Sequence, residues 1–301
     1  MILMISHPDC VQYLQPGHPE RPYRIEATVK YLKSDTQTAW SRMLQWKEAE
    51  ITECMDSDLL AAHRGSHLES VKAGGKGGAG FDADTPAYPG IDKHAKRAVA
   101  AAVMAMKSSL NGVSSTAMSL IRPPGHHATP QEAMGFCYFN SIAVAILKAQ
   151  RELGAERVAV LDFDVHHGNG TQDILIGRKD VSFFSLHQSP CYPGTGLRSE
   201  QNCANYPLPP RTDPADYRAA FSDALEKIKA FKPDLLGVSA GFDAFKEDPL
   251  SDQLLDLEDF EWFGKSITEL GIPTFHVLEG GYSDRLPEVV GSYLKGISQC
   301  Q

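Results

Sequence analysis

Short apolar runs alternate along this chain with longer segments in which apolar residues recur at helical spacing. The short runs predict strands and the longer segments predict helices. The predicted strands lie at 117–121, 157–161, Leu235–Ala240 and Thr274–Leu278, and the predicted helices at 22–33, Ile91–Leu110, Ser141–Leu153, Pro214–Phe231 and 257–270. Because this alternation is typical of parallel βαβ units, we expect an α/β fold with a central, mostly parallel sheet and helices on both faces. The length suits a single domain over residues 1–301.

Each predicted strand ends in a cluster of polar residues. The strand at 157–161 leads into DFDVHHGNGTQ, and the strand at 117–121 leads into RPPGHH. The two later strands end in GFD and in EGGY. Since ligands of open parallel sheets bind outside the carboxyl ends of the strands, we expect these four clusters to meet at one active site.

The DFDVHHGNG cluster predicts a metal site. As the chain leaves the strand, Asp164 and His166 can converge on one ion while Asp162 points elsewhere, and Asp243 of the GFD cluster becomes the third ligand. A mixed carboxylate and imidazole set without cysteine is typical of a catalytic Zn²⁺ that keeps one position open, although Fe²⁺ or Co²⁺ would accept the same ligands. The alternative is a set of buried polar residues that cap a helix. This alternative is disfavoured because removing so many ionisable side chains from water costs free energy.

The RPPGHH and EGGY clusters predict proton-transfer and oxyanion-stabilising groups. His126 and His127 follow a rigid, proline-rich turn, and a histidine has a pKa that is easily poised near neutral pH. One histidine can then be a general base and the other its electrostatic partner, unless both simply lie on the surface. Tyr282 follows two glycines and could bring its hydroxyl to a polarised carbonyl, although a lone tyrosine is more often part of the core or a rim.

Seven motifs occur in an order that resembles one known family. RPPGHHA, GFCYFN, DFDVHHGNGTQ, SLH, YPGTG, AGFDA and LEGGY resemble the zinc-dependent histone deacetylase family, which includes bacterial acetylpolyamine amidohydrolases and acetoin-utilisation proteins. The resemblance runs from about His18 to Tyr282 and implies an arginase/deacetylase-like fold. Asn169 and Glu279 are similar to the class II branch, because class I members usually carry Asp and Gly at these positions.

The resemblance implies a role for each residue of the active site. His126 should hydrogen-bond to Asp162, and His127, as general base and acid, to Asn169. A neutral Asn should orient the histidine ring without strongly raising its pKa. The implied catalytic residues are His126, His127, Asp162, Asn169 and Tyr282, and the implied Zn²⁺ ligands are Asp164, His166 and Asp243.

Structural potassium and an acyl-lysine tunnel are also implied. The K⁺ ligands would be Asp162, the backbone carbonyls of Asp164 and His166, and the region of Ser185 and Leu186. A second monovalent-ion site would use carbonyls around Leu175, Arg178 and Val181. The implied substrate-binding residues are Asp84 at the rim, Gly135, Phe136 and Tyr192 in the walls, Leu250 at the mouth, and Gly280. Arg21 would lie at the inner foot of the pocket.

Composition limits the classes of partner and the cellular location that we expect for the protein. A net charge of -9, without basic patches that contain aromatic residues, argues against nucleic-acid binding and would favour cationic substrates. No apolar run approaches the roughly 18 residues of a membrane span. The six cysteines show no CxxC spacing, and no signal peptide precedes the first motif, which indicates a reducing, cytoplasmic location.

Three functions remain open from the sequence. The first is deacetylation of ε-acetyl-lysine in proteins or peptides, the second is hydrolysis of acetylpolyamines or other small acylated amines, and the third is an inactive acyl-lysine-binding module. Because every implied catalytic position is filled, the third is disfavoured, and hydroxamates should inhibit by chelating the ion. The short stretch 67–84, and Leu250 where a vertebrate polyamine-selective relative has Glu, favour an open site for lysine side chains.

Overall fold

The central sheet is parallel throughout. The computed structural model describes residues 1–34, 38–113 and 116–300. Its strands are β1 (Ile2–Ser6), β2 (Leu44–Glu48), β3 (Thr116–Ser119), β4 (Val158–Asp162), β5 (Val181–Gln188), β6 (Cys203–Leu208), β7 (Leu235–Ala240) and β8 (Thr274–Leu278). They pair in the order β2-β1-β3-β8-β7-β4-β5-β6, and each neighbouring pair is parallel. The expected α/β fold is confirmed, and no antiparallel strand pair interrupts the sheet formed by these strands.

Two groups of helices cover the sheet. The helices are α1 (Tyr23–Ser34), α2 (Asp56–Ala62), α3 (Gly65–Gly74), α4 (Ile91–Leu110), α5 (Ser141–Leu153), α6 (Asn169–Leu175), α7 (Pro214–Phe231), α8 (Leu257–Thr268) and α9 (Leu286–Ser298). α4 packs against α3 and α5, whereas α8 packs against α7 and α9. Every residue of β3, β4, β7 and β8 is buried. Since successive side chains of a strand point to opposite faces, both faces of the central sheet are covered.

Helix ends follow local signals in the sequence. Asn140 caps α5 by accepting a hydrogen bond from the Ala143 amide, and Gly154 ends that helix in the left-handed region. Asp213 caps α7, whose first residue is proline. Three helices therefore have the predicted bounds, whereas α1 lies one residue later than predicted and α8 ends at Thr268 rather than at 270.

An aromatic cluster under the sheet fixes the direction in which β4 leaves it. Phe163 follows β4 and is fully buried. The centroid of its ring lies 5.9 Å from that of Phe242 and 5.5 Å from that of Tyr293. Because neighbouring side chains of an extended chain alternate, burial of Phe163 on this side directs Asp162 and Asp164 away from the aromatic cluster.

Among the residues that the structure describes, no helix is both long enough and apolar enough to cross a membrane.

Candidate active site

Three potential metal ligands converge at the carboxyl ends of β4 and β7. Asp164, His166 and Asp243 each offer one ligand atom, and these atoms lie within 4.8 Å of one another. His166 Nδ1 lies 3.0 Å from Asp164 Oδ1 and 3.1 Å from Asp243 Oδ2. The structure thus brings together the three residues expected from the sequence, in a buried donor set of two carboxylates and one imidazole that can hold a divalent metal ion.

Backbone amides orient the two carboxylates of this triad. The Gly280 amide donates to Asp164 Oδ2 at 2.7 Å, and the Val165 amide donates to Asp243 Oδ1 at 2.8 Å. The remaining oxygen of each carboxylate faces His166. Burial and the charge of Asp164 raise the pKa of Asp243. A divalent cation among these groups would offset the repulsion between the two carboxylates and favour their ionised forms.

The tandem histidines lie beside the triad and differ in their partners. His126 Nδ1 donates to Asp162 Oδ2 at 3.0 Å, and His127 Nδ1 donates to Asn169 Oδ1 at 2.7 Å. Their ring centroids are 4.0 Å apart. These are the contacts that the resemblance implies. With Nδ1 acting as donor, His127 keeps the lone pair of Nε2 for the cavity that its ring lines.

Opposite pKa shifts separate the two histidines. Burial alone would lower the pKa of His126, but the carboxylates of Asp164 and Asp162 outweigh it and raise this pKa to about 10. Burial, together with the neighbouring charges of His126 and His166, holds the pKa of His127 well below its usual value. His126 is therefore the charged member of the pair and His127 the neutral one.

Glu279 fixes the turn that carries these histidines. Its Oε2 accepts hydrogen bonds from the amides of Gly125 at 2.7 Å and His126 at 3.1 Å, and its Oε1 accepts one from the Ser239 hydroxyl. The sequence singled out Glu279 only as a branch marker. Its position directly after β8 is the signal that could have identified it as a residue of the site.

A cavity of about 330 Å³ leads from the surface to the triad. Phe136 and Tyr192 form its walls, and Tyr282 and the histidines lie at its inner end. Gly135 has a φ of +55°, and a Cβ at this position would overlap the His127 ring, so only glycine fits between the wall and the histidine. The residues predicted from sequence that line the cavity are Asp84, His126, His127, Gly135, Phe136, His166, Tyr192, Leu250 and Tyr282, and Pro124 and Cys191 join them.

Gly280 does not line this cavity. Its amide is bound to Asp164 behind the triad, so its contact is with a metal-ligand candidate rather than with the space for a substrate.

Arg24, rather than Arg21, occupies the buried position behind Tyr282. The Arg21 side chain is 42% exposed and pairs with the exposed Asp284. Arg24 is buried, and its guanidinium lies 4.7 Å from the centroid of the Tyr282 ring. The prediction for Arg21 is wrong because α1 begins at Tyr23 and turns residue 24, not residue 21, toward the core.

The implied potassium ligands lie in neighbouring strands. Asp162 of β4 is the register partner of Ser185 of β5, and both side chains are buried, as is Leu186. At the remote monovalent-ion site that the resemblance implies, Asn202 Nδ2 donates to the carbonyls of Leu175 at 3.0 Å and Val181 at 3.2 Å. Two of the three predicted carbonyl groups thus accept a hydrogen bond from a side-chain amide, and each carbonyl oxygen has a second lone pair that an ion could use.

Comparisons with known proteins indicate the family to which the chain belongs. A family model described as the histone deacetylase domain matches residues 18–297. A probable deacetylase of Methanothermobacter thermautotrophicus is 36% identical, over 98% of this chain and 90% of its own length. Acetylpolyamine amidohydrolase 2 of Pseudomonas aeruginosa is 42% identical, over 67% of this chain and 61% of its own length.

Solved structures show the same fold. The crystal structure of an acetylpolyamine aminohydrolase from Burkholderia pseudomallei superposes with a TM-score of 0.86 at 27% identity, over 100% of this chain and 99% of that chain. The chain therefore belongs to the histone deacetylase family, and it is a hydrolytic deacetylase.

Proposed function

We propose that the protein removes acetyl groups from ε-acetyl-lysine side chains of proteins or peptides. The observation that carries this proposal is the cavity, whose aromatic walls lead from Leu250 at the mouth to the Asp164–His166–Asp243 triad. An acyl-lysine side chain is long and apolar with an amide at its end, so its methylene groups suit the walls and its amide suits the triad.

The triad residues suit Zn²⁺, although Fe²⁺ or Co²⁺ would accept the same donors. When bound, such an ion polarises an amide carbonyl and lowers the pKa of water from about 15.7 toward about 7. A hydroxamate should inhibit, because its two oxygens are placed to chelate the ion. We further propose structural K⁺ near Asp162 and Ser185, with backbone carbonyls of Asp164 and His166 and the Leu186 region. The pairing of Asp162 in β4 with Ser185 in β5 supports this proposal.

In this proposal, His127 transfers protons, whereas His126 and Tyr282 stabilise the charge that develops in the reaction. Neutral His127 accepts a proton from water at Nε2 while Asn169 holds its Nδ1–H. It then passes this proton to the leaving amine. His126, charged and paired with Asp162, supplies a positive field at the same place. The Tyr282 hydroxyl donates to the developing oxyanion. Acetate and a free amine are the products.

Replacing Tyr282 by Phe tests the oxyanion role. The change removes one hydroxyl and keeps the ring that packs on Phe136, with centroids 5.8 Å apart. We expect kcat to fall by about 10²- to 10³-fold with an unchanged metal content, since one oxyanion donor typically contributes this much. Steady-state kinetics and metal analysis check it. Tyr206→Phe, which removes a hydroxyl bound to Asp223 outside the cavity, should keep wild-type kcat. A Tyr282→Phe enzyme with near-normal kcat would mean that the hydroxyl is not used.

Two aspartates lie near the mouth, and they differ in their hydrogen bonds. Oδ1 of Asp82 accepts a hydrogen bond from the amide of Asp84, and its Oδ2 accepts one from the amide of Gly135. Asp84 lines the cavity and is exposed. We propose that Asp84 binds the substrate outside the tunnel, through backbone amides of a peptide. The same carboxylate could meet the distal ammonium of a polyamine, and this favours acetylpolyamines or other small acylated amines as the second candidate substrate.

A substrate panel with one mouth variant separates the two substrate classes. We expect acetyl-lysine peptides to exceed N-acetylated polyamines in kcat/KM, because apolar Leu250 offers no partner for a distal ammonium. Leu250→Glu should shift the ratio of the two kcat/KM values toward polyamines by about tenfold or more, since a charge pair in a partly desolvated pocket is strong. Leu60→Glu places the same charge on the exposed face of α2 and should leave the ratio unchanged. A wild-type preference for acetylspermidine over every peptide would establish the second candidate.

The setting that we propose is the cytoplasm. All six cysteines are free thiols, and a reducing compartment keeps them so. The net charge of -9 supports cationic or lysine-bearing substrates over nucleic acids.

A further inference from the structure

Asp248 lies between two loops that border the cavity. We name them the mouth loop, residues 244–255, which contains Leu250, and the tyrosine loop, residues 279–285, which contains Tyr282. Asp248 belongs to the mouth loop and is only 6% exposed. Its Oδ1 accepts the Leu250 amide at 3.0 Å, and its Oδ2 accepts the amides of Tyr282 at 2.6 Å and Ser283 at 3.1 Å. One carboxylate therefore binds the backbones of both loops.

The tyrosine loop is held from its other side by Arg24. The guanidinium Nε donates to the Gly281 carbonyl at 2.7 Å, and Nη2 donates to the Glu279 carbonyl at 2.5 Å. The arginine is itself paired with buried Glu20. Carbonyls of the loop are thus held by a buried guanidinium and its amides by a buried carboxyl group.

This double attachment matters because the loop contains two consecutive glycines. Gly281 has a φ of +114°, and a glycine pair has many alternative backbone conformations of similar energy. Without its partners, the loop would distribute the Tyr282 hydroxyl over several positions. Asp248 contacts the amide of Tyr282 itself, so it acts at the residue whose side chain must be aimed.

We propose that Asp248 is a positioning residue: it holds the backbone of Tyr282 so that the hydroxyl points into the cavity, and it links this position to Leu250 at the mouth. The inference rests on the proposed role of Tyr282. Because the carboxylate binds the Leu250 amide as well, a substrate that displaces the mouth loop would also move the tyrosine. Asp248 is not among the described residues that line the cavity, so it would act through Tyr282.

The first test is Asp248→Asn in the full-length enzyme. The side chain keeps its volume, but an NH₂ group replaces one acceptor, so either the Leu250 amide or the Tyr282 and Ser283 amides lose their partner. We expect kcat to fall by about 10- to 100-fold through misplacement of the hydroxyl, with unchanged metal content. The matched control is Glu247→Gln. Glu247 is the neighbouring residue and links the same two loops at the surface. Because its link runs through the Arg285 side chain and not through the Tyr282 amide, its loss should leave kcat unchanged. An Asp248→Asn enzyme with wild-type kcat would overturn the inference.

A double-mutant cycle distinguishes positioning from general structural support. In the Tyr282→Phe background no hydroxyl remains to be aimed, so Asp248→Asn should lower kcat by less than about twofold further. An equal fold-loss in both backgrounds would overturn the proposal, because it would show that Asp248 acts independently of Tyr282. If Tyr282→Phe alone keeps near-normal kcat, the proposed role of the tyrosine fails instead, and the two failures are thereby distinguished.

Amide hydrogen exchange on the wild-type protein gives a test that does not depend on the folding of a variant. The amides of Tyr282 and Ser283 should exchange at least about tenfold more slowly than unprotected amides, because they are bound to a buried carboxylate. Exchange at the unprotected rate would overturn the proposal even if Asp248→Asn cannot be purified.

Discussion

Replacing Asp243 by Ala should abolish both turnover and the retention of a divalent metal. Asp243 is one of three residues whose ligand atoms lie within 4.8 Å of one another, and all three are held by the ends of β4 and β7. Its removal leaves one carboxylate and one imidazole, which is too few protein ligands for a stable catalytic site. Metal content after dialysis, measured by mass spectrometry, and the rate of acetyl-lysine peptide hydrolysis check the expectation.

Two controls make this result specific. Asp252→Ala removes an exposed carboxylate of the mouth loop that pairs with Arg211 at 3.3 Å, and it should keep metal and activity. Asp243→Asn keeps the acceptor for the Val165 amide, so the fold should persist while the metal is lost. Full metal occupancy and normal turnover in Asp243→Ala would show that the ion, if one binds, uses other ligands.

The part of the fold that the sequence predicted is the centre of the sheet. β4, β7 and β8 are short apolar runs because both of their faces are buried, and such runs are visible without a structure. β2 reads LQWKE and is half exposed at one edge, and β6 contains Pro207 at the other edge. β2 alternates over only four positions and Pro207 interrupts β6, so neither run is a strong strand signal, and neither strand was predicted.

The residues that follow the central strands were predictable for the same reason. A parallel sheet brings its carboxyl ends to one edge, so Asp164, His166 and Asp243 had to be neighbours once their strands were adjacent. Asp248 was not predictable in this way. It lies in a loop without periodicity, and its partner Tyr282 is 34 positions away along the chain. Its partners are backbone amides, and because nearly every residue has one, no sequence pattern identifies them.

Local geometry also decided between similar residues. Arg21 and Arg24 both belong to the segment that resembles the family, and only the start of α1 shows which one turns inward. Likewise, only the structure shows that the Asn202 amide lies against the carbonyls of Leu175 and Val181, which stay predicted ion ligands. A shift of three residues therefore changes the assignment of the arginine, and contacts from outside a motif are visible only in the structure.

Replacing His127 by Ala should lower kcat by about 10²- to 10⁴-fold, the range of general acid–base catalysis. The residue is the only one of the two tandem histidines that is neutral, and its Nδ1 is already bound to Asn169, so Nε2 is free to exchange a proton in the cavity. Metal content should be unchanged, because His127 is not part of the triad. His126→Ala should be less severe, since His126 supplies charge rather than a proton.

The pH dependence of the wild-type enzyme provides the matching test. A general base must be unprotonated, so kcat/KM falls as the pH drops through its pKa. Burial and the charge of His126 lower the pKa of His127, and a divalent cation in the triad would act in the same direction in place of the charge on His166. The acidic limb should therefore lie below pH about 6.5, the ordinary pKa of histidine, and should disappear in His127→Ala. A limb above this value that persists in His127→Ala would assign the titrating base to another group.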